Sequence, residues 1–232
     1  MDLIWRGALE AARLIATGDP EVLQIAWLSV QISGSATLLS LLAGVPAGMA
    51  LALARFPGRS LCVALVNTGM GLPPVVVGLF VSLFLWRSGP LGVLHLLYTP
   101  AAIVIAQFII AAPIVTGLTI AAMQQLNPRL RLQLLALGAS RWQLLWLLMR
   151  EARLPLLAAV MAGFGGVISE VGASMMVGGN LQGQTRVLTT ATVLETSKGN
   201  FDLAIALSVI LLLLAFSVNY LLTWIQQRGR TP

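Results

Sequence analysis

The stretch NPRLRLQLLALGASRWQLLWLLMREARLP, residues 127–155, lies between two segments that are each apolar enough to cross a membrane. It contains five arginines and two tryptophans. We expect a helix over residues 129–137, a turn at Gly138 where a positive φ is tolerated, and a second helix after Ser140, whose capping box Gln143 closes. From the residues alone, an interfacial elbow explains this loop as well as a docking surface does.

The composition identifies the solvent of the surrounding chain. Of 232 residues, 58% are hydrophobic and 9% are charged, and the mean hydropathy is +0.90. A water-soluble domain of this size carries many more charges, so we expect a membrane protein.

The apolar stretches predict an all-α membrane protein with five transmembrane helices. A span needs about 20 apolar residues, and Asp19-Pro20 and Thr99-Pro100 are typical helix starts. We divide the chain into an N-terminal segment, residues 1–18, and a transmembrane domain, residues 19–232. The predicted spans are 21–54, 61–86, 98–123, 154–178 and 201–226, with the loop at 127–153 between the third and the fourth.

Arginine and lysine positions predict the orientation of these spans. If the loop at 127–153 is cytoplasmic, nine basic residues lie inside and five outside. The positive-inside rule then puts the N-terminus outside and the C-terminus in the cytoplasm of a multi-pass inner-membrane protein. The net charge of +6 is explained by topology, and we expect no nucleic-acid partner. The inside residues are Arg55, Arg59, Arg129, Arg131, Arg141, Arg150, Arg153, Arg228 and Arg230; the outside residues are Arg6, Arg13, Arg87, Arg186 and Lys198.

The first sixteen residues are too short to span a bilayer. One helical face carries Asp2, Arg6, Glu10 and Arg13, and the other is apolar. This pattern predicts an amphipathic helix that lies on membrane lipid at the outer interface, and a frayed tail is the alternative.

Three motifs together resemble the permease subunits of type I ABC importers. Leu-Gly-Ala-Ser at 137–140 and Leu154-Pro155 match the core of their cytoplasmic loop, although Leu-Gln-Leu at 132–134 replaces its Glu-Ala-Ala and Leu-Pro comes four residues late. GLPPVVVG at 71–78 is similar to the second span of molybdate and tungstate permeases. ISEVGAS at 168–174, with the polar stretch that follows it, is similar to the region before their last span, and SEVGASMM looks most like the tungstate branch.

The resemblance implies the permease fold, the partners and the site residues. It implies that this chain is no enzyme and binds no cofactor, since ATP and Mg bind a separate ATPase dimer. The other implied partners are a second copy of the chain and an extracytoplasmic oxyanion-binding protein. The implied ATPase-coupling residues are Leu135, Ala136, Leu137, Gly138, Ala139, Ser140 and Arg141; the implied pathway or gate residues are Pro73, Pro74, Ser169, Glu170, Gly172, Ser174, Asn180, Gln184, Thr185 and Arg186.

Physical reasoning supports some of these roles and limits others. Pro73-Pro74 removes two backbone donors, so it predicts a break that either lines a pathway or is a packing kink. Glu170 is a carboxylate inside a predicted span, and it repels a dianion, so we expect a gate or packing residue paired with a backbone donor, a serine or an arginine. Neutral donors near Asn180 suit an oxyanion, Arg186 adds positive potential, and a solvated turn is the alternative.

Missing motifs narrow the function further. The sequence has no Gly-x-x-x-x-Gly-Lys-Ser/Thr, no Ser–His pair and no CxxC, so it cannot hold ATP by itself and lacks the parts for hydrolysis or redox chemistry. We therefore expect the membrane subunit of an oxyanion importer, with tungstate favoured and molybdate or sulfate as alternatives. A self-sufficient secondary transporter or a membrane scaffold is the competing class.

Overall fold

The computed structural model describes residues 2–228, without the side chains of Asp2 and Arg228. Within this range the chain is all-helical, as the sequence predicts. The last four residues of the predicted membrane domain, which include Arg230, lie outside the described residues. The side chains of Asp2 and Arg228, which the charge pattern uses, lie outside them as well. The helices are α1 Asp2–Thr17, α2 Pro20–Leu53, α3 Arg59–Met70, α4 Pro74–Leu85, α5 Pro100–Gln124, α6 Pro128–Ala136, α7 Arg141–Glu151, α8 Arg153–Ile168, α9 Gly172–Gly178, α10 Leu188–Ser197 and α11 Phe201–Arg228, with a 3₁₀ turn at Gly92–Leu94.

The three longest helices match three predicted spans. α2, α5 and α11 are each long and apolar enough to cross a membrane. The predicted start signals are confirmed, since the Asp19 side chain accepts a hydrogen bond from Val22 N at 3.0 Å and the Thr99 side chain accepts one from Ala102 N at 3.4 Å. Each cap satisfies a backbone donor that the first helical turn leaves free.

The other two predicted spans are not single helices. α3 and α4 meet at an angle of 102°, at the proline pair that predicts a break. The fourth predicted span, 154–178, contains two helices, since α8 ends at Ile168 and α9 starts only at Gly172. α7 and α8 also meet at 71°, so the described residues contain three to five candidate spans, depending on whether each bent pair counts as one.

Helix α5 lies at the centre of the bundle, in contact with α2, α3, α4, α8 and α9. Its closest neighbour is α2, because Gly44 and Gly48 let the two backbones approach. A Cβ on Gly48 would lie 2.7 Å from the carbonyl oxygen of Thr116, which leaves no room for a larger residue. Small residues permit such contacts between membrane helices, where backbone packing drives association.

Helix α1 forms as predicted, and it packs on the first turns of α11. Ala11 is 1% exposed in a cluster with Ile25 and Leu207, and Arg6 lies 3.9 Å from Asp202. Ile4 and Trp5 remain largely exposed, at 70% and 68%. An exposed apolar face beside a polar one is typical of a helix at a lipid interface.

The small residues along the fourth predicted span permit close helix contact and suit a homodimer interface: Gly163, Gly165, Gly166, Gly172 and Ala173. In the structure most of them pack within the chain. A Cβ on Gly163 would lie 3.1 Å from Val115 Cγ2, and one on Gly172 would lie 2.8 Å from Val75 Cγ2. Ala173 is fully buried. Gly165 alone of these has open space around it. α4 and α5 therefore occupy the space beside Gly163 and Gly172, whereas Gly165 stays open to a further contact.

Candidate functional site

The break between α3 and α4 follows from local chemistry. Pro74 occupies the first position of α4, and Pro73 precedes it with φ −63° and ψ 124°. Neither proline has an N–H to continue the ladder from α3, and the residue before a proline is pushed out of the helical region. Residues 71–73 are exposed in the isolated chain. The predicted break is thus confirmed.

The break between α8 and α9, residues 169–171, contains Glu170. Its side-chain Oε1 accepts a hydrogen bond from Ala173 N at 2.9 Å, and its carbonyl accepts one from Thr189 Oγ1 at 2.9 Å. A backbone donor is one of the three partners that the sequence predicts. Glu170 is 9% exposed, but it lies between two helices and not inside one. Its carboxylate replaces the missing backbone acceptor at the start of α9.

The helices that follow the two breaks lie against each other. Val75 and Gly78 of α4 contact Gly172 and Ala173 of α9, and a Cβ on Gly78 would lie 2.7 Å from Ala173 Cα. The contacting residues advance in the same direction along α4 and α9, so the starts of these two short helices are side by side. Of the predicted pathway residues, the structure therefore brings Pro74, Gly172 and Ser174 into one region.

Gln107 belongs to this region, and our sequence reasoning missed it. It lies on α5, 2% exposed, and its Nε2 donates to Val167 O at 3.1 Å and to Ser174 Oγ at 3.4 Å. The signal was present, because a carboxamide in the apolar stretch AAIVIAQFIIAA is costly in a membrane unless it has a function.

In the polar turn after α9, residues 179–190, most threonine hydroxyl groups donate to backbone carbonyls of the chain. Thr185 Oγ1 donates to Gly178 O at 2.6 Å, Thr189 Oγ1 donates to Glu170 O, and Thr190 Oγ1 donates to Val187 O at 3.0 Å. Asn180 has φ +52° and donates from Nδ2 to Thr190 O at 3.3 Å. Gln184 is exposed. In this conformation the threonines shape the turn, and their hydroxyl protons are not free to bind an anion.

Arg186 is paired at the end of this turn that lies beside the start of α2. Its Nη1 lies 3.5 Å from Glu21 Oε1, and Gln182 Nε2 donates to the same oxygen at 2.8 Å. The nearby Glu195 accepts from Lys198 Nζ at 2.7 Å, which lowers the pKa of this carboxyl against the opposing effect of burial; Asn200 and Arg186 lower it further. Because two carboxylates face Arg186, its positive potential is smaller than an unpaired arginine would supply.

The loop between α5 and α8 has the geometry that its sequence predicts. Gly138 has φ +80°, and the capping box is complete, with Ser140 N donating to Gln143 Oε1 at 2.8 Å and Gln143 N donating to Ser140 Oγ at 3.4 Å. Leu137 and Trp142 on either side of the turn are 84% and 82% exposed. This loop therefore presents an apolar, arginine-bearing surface away from the bundle.

The inner side of the same loop is attached to the spans. Leu144 and Leu148 of α7 are buried with Met49 of α2 and Met123 of α5. Arg131 Nη1 donates to Leu53 O, one of the free carbonyls at the end of α2, at 3.3 Å. A displacement of the loop would therefore be transmitted to α2 and α5 as well as to α8.

Residues 44–231 match the family described as the binding-protein-dependent transport system inner membrane component. The chain is 37% identical to the tungstate uptake system permease protein of Peptoclostridium acidaminophilum, over 98% of this chain and the whole of that protein. It is 40% identical to the "Probable anion ABC transporter permease protein" of Haloferax volcanii, over 94% of this chain and 97% of that protein.

The fold has a solved counterpart as well. A bacterial ABC transporter involved in the import of the acidic polysaccharide alginate aligns with a TM-score of 0.74 and 17% identity, over 90% of this chain and 80% of that one. The chain belongs to the family of binding-protein-dependent transport system inner membrane components. It is an integral inner-membrane permease subunit of an ABC importer, in which a separate chain hydrolyses ATP. This membership sets aside the secondary-transporter and scaffold alternatives.

Proposed function

We propose that this subunit carries tungstate across the inner membrane, with molybdate and then sulfate as alternatives. The near full-length similarity to a tungstate uptake permease carries this proposal. Tungstate, molybdate and sulfate are tetrahedral dianions of similar shape, so a pathway built for one suits the others in general form. Selection among them would then rest mainly on the binding protein that delivers the anion.

The working importer that we propose contains two copies of this chain, an ATPase dimer and an extracytoplasmic oxyanion-binding protein. The three to five candidate spans among residues 2–228 are too few to enclose a pathway, which supports a homodimer. The exposed segment Leu135–Arg141 would dock the ATPase. The charge pattern supports an orientation in which this segment is cytoplasmic and the N-terminus is outside. In that orientation α1 would lie on the outer lipid interface.

The pathway would run past the paired breaks and the polar turn. Pro73 and Pro74, with Ser169, Glu170, Gly172 and Ser174, would form the gate. Glu170 would act through its hydrogen bonds and would not hold the anion, because its charge repels a dianion. At the outer mouth we assign Asn180, Gln184, Thr185 and Arg186.

Reconstitution tests the substrate directly. The permease, its ATPase and the cognate binding protein are placed in proteoliposomes, and uptake of tungstate, molybdate and sulfate is measured with ATP inside. We expect tungstate uptake to exceed sulfate uptake by more than tenfold. Uptake of sulfate in excess of tungstate would contradict the proposed substrate.

Labelling of single cysteines tests the orientation. Ser140→Cys and Ser197→Cys are each made in a Cys62→Ala background and treated on intact cells with a thiol reagent that does not cross membranes. Cysteine at position 197 should react, and cysteine at position 140 should react only after the cells are opened. The opposite pattern would reverse the orientation and remove the docking role of the loop.

A further inference from the structure

Gln107 lies where the central helix α5 meets both sides of the α8–α9 break. Val167, whose carbonyl accepts from Gln107 Nε2, is in the last turn of α8. Ser174, whose hydroxyl oxygen accepts from the same nitrogen, is in the first turn of α9. One carboxamide therefore connects the segment before the break with the segment after it.

The orientation of this carboxamide follows from its partners. A carbonyl oxygen can only accept a hydrogen bond, so the group that faces Val167 O at 3.1 Å is the amide nitrogen. The other end, Oε1, is buried and has no hydrogen-bond partner among the described residues. Buried acceptors without partners are rare in folded proteins, because the acceptor loses its water and gains nothing in exchange.

The other hydrogen-bonding groups at the α8–α9 break are already paired. Glu170 uses its carboxylate on Ala173 N and its carbonyl on Thr189 Oγ1, so both ends of that residue are occupied. Gln107, by contrast, keeps an unused buried acceptor beside this break. A movement of α9 relative to α8 would release one of its two bonds and give Oε1 access to a donor or to water.

We propose that Gln107 is a positioning residue for transport. Through it, α5 holds the ends of α8 and α9 in their present arrangement, and its hydrogen bonds to Val167 and Ser174 are exchanged when the pathway opens. The proposal rests on the proposed function of this region as the gate. It differs from a purely structural role in its consequence. Loss of the amide should uncouple transport from ATP hydrolysis, and it should not unfold the chain.

Gln107→Met tests this difference, because methionine keeps the length of the side chain and removes both the donor and the unpaired acceptor. Tungstate uptake and ATP hydrolysis are measured in the same proteoliposomes, together with the thermal unfolding midpoint in detergent. We expect the amount of tungstate carried per ATP to fall at least tenfold. The unfolding midpoint should be unchanged, since the lost bonds and the removed unpaired acceptor offset each other.

Thr119→Val is the matched control. Thr119 is also fully buried on α5, but its hydroxyl donates only to Val115 O of its own helix, at 2.7 Å, and valine has the same shape. We expect tungstate per ATP to stay within twofold of the wild type. A tenfold fall in this control would mean that any loss of a buried polar group on α5 uncouples transport, and the proposal for Gln107 would be overturned.

A double-mutant cycle with Ser174→Ala examines the second bond. Ser174→Ala should lower tungstate per ATP by less than Gln107→Met does, and the double variant should be no worse than Gln107→Met alone, because both changes break the same contact. Fully additive effects would contradict a shared contact.

Two further results would overturn the proposal. One is unchanged tungstate per ATP in Gln107→Met; the other is a proportional fall of uptake and hydrolysis with a lowered unfolding midpoint, which is the signature of a packing residue. If wild-type vesicles take up molybdate or sulfate and no tungstate, the proposed substrate fails. The uptake of that anion per ATP then tests Gln107 in the same way.

Discussion

The break between α3 and α4 and the break between α8 and α9 are each followed by a short helix, and these two helices are in contact. The two breaks nevertheless have different origins. The first contains two adjacent prolines and bends the chain by 102°. The second contains Ser169, Glu170 and Val171, none of which forbids a helix. The first break is therefore encoded within its own four residues, whereas the second depends on groups that other helices supply.

This difference assigns the two breaks different mechanical properties. A proline break cannot become a regular helix, because no rearrangement restores the missing N–H groups. A break held by hydrogen bonds from Gln107 and Thr189 can exchange its partners. We therefore expect the first break to be a fixed support and the second to be the element that changes during transport.

Removing both prolines should have the largest effect, because it should abolish the first break and leave the second. In Pro73→Ala/Pro74→Ala a helix can continue from α3 into α4, a change worth about 3 kcal/mol or more for a proline in a helix interior. α4 should then leave α9. Cysteines at Val75 and Gly172 report this, because a Cβ on Gly172 would lie 3.8 Å from Val75 Cα, within reach of a disulfide.

In a Cys62→Ala background, the pair Val75→Cys/Gly172→Cys should cross-link readily with the prolines present and at least tenfold more slowly without them. Equal cross-linking rates would show that packing, and not proline, maintains the first break. The comparison between the two breaks would then fail.

A larger side chain at the contact between α4 and α9 should have the next largest effect. Gly78→Ala places a Cβ 2.7 Å from Ala173 Cα, so one helix must move, and we expect a loss of about 2 kcal/mol of stability. Gly165→Ala is the control, since nothing lies within 4 Å of its Cβ. It should be neutral or stabilise the chain by about 0.5 kcal/mol. Thermal unfolding of both variants in detergent measures this, and equal midpoints would contradict the close contact.

Thr189→Val should weaken the second break only. Valine keeps the shape and removes the hydrogen bond to Glu170 O, which costs about 1 kcal/mol for a buried pair. Thr192→Val removes a hydroxyl that bonds only within α10, to Leu188 O, and should cost less. Hydrogen exchange of amides in α9 gives the local stability. If exchange rises equally in both variants, the second break does not depend on Thr189.

Glu170→Gln should have the smallest effect. The amide oxygen can still accept from Ala173 N, so only the favourable charge at the start of α9 is lost, about 0.5 kcal/mol. The ratio of tungstate to molybdate uptake in liposomes should stay within tenfold of the wild-type ratio. A larger shift, about 1.4 kcal/mol of changed discrimination, would make Glu170 a selectivity residue.

Features of the fold that depend on neighbours in sequence could be predicted. The capping box at Ser140, the turn at Gly138, the start of α2 at Asp19 and the break at Pro73-Pro74 each arise within about four residues. Hydrophobic stretches likewise predicted α2, α5 and α11, because the bilayer requires a minimum apolar length. These signals also placed the chain in its family, and the comparisons confirmed it.

Features that depend on distant residues could not be predicted in the same way. Ser169–Val171 reads as part of a continuous apolar span, and only contacts with residues 19 and more positions away show why the helix stops there. The threonines of the polar turn looked like anion donors until their backbone acceptors were known. Small residues of α8 and α9 permit close helix contact, but only the structure shows that Gly163 contacts α5 and Gly172 contacts α4.

The sequence by itself determined the helical class, the long spans, the proline break and the membership of a permease family, because covalent geometry and hydrophobic length act locally. Only the tertiary structure decided where the second break lies, what Glu170 bonds to and why Gln107 occupies an apolar helix. In a membrane every freed backbone group needs a partner from somewhere in the protein. Which distant side chain supplies that partner is set by packing.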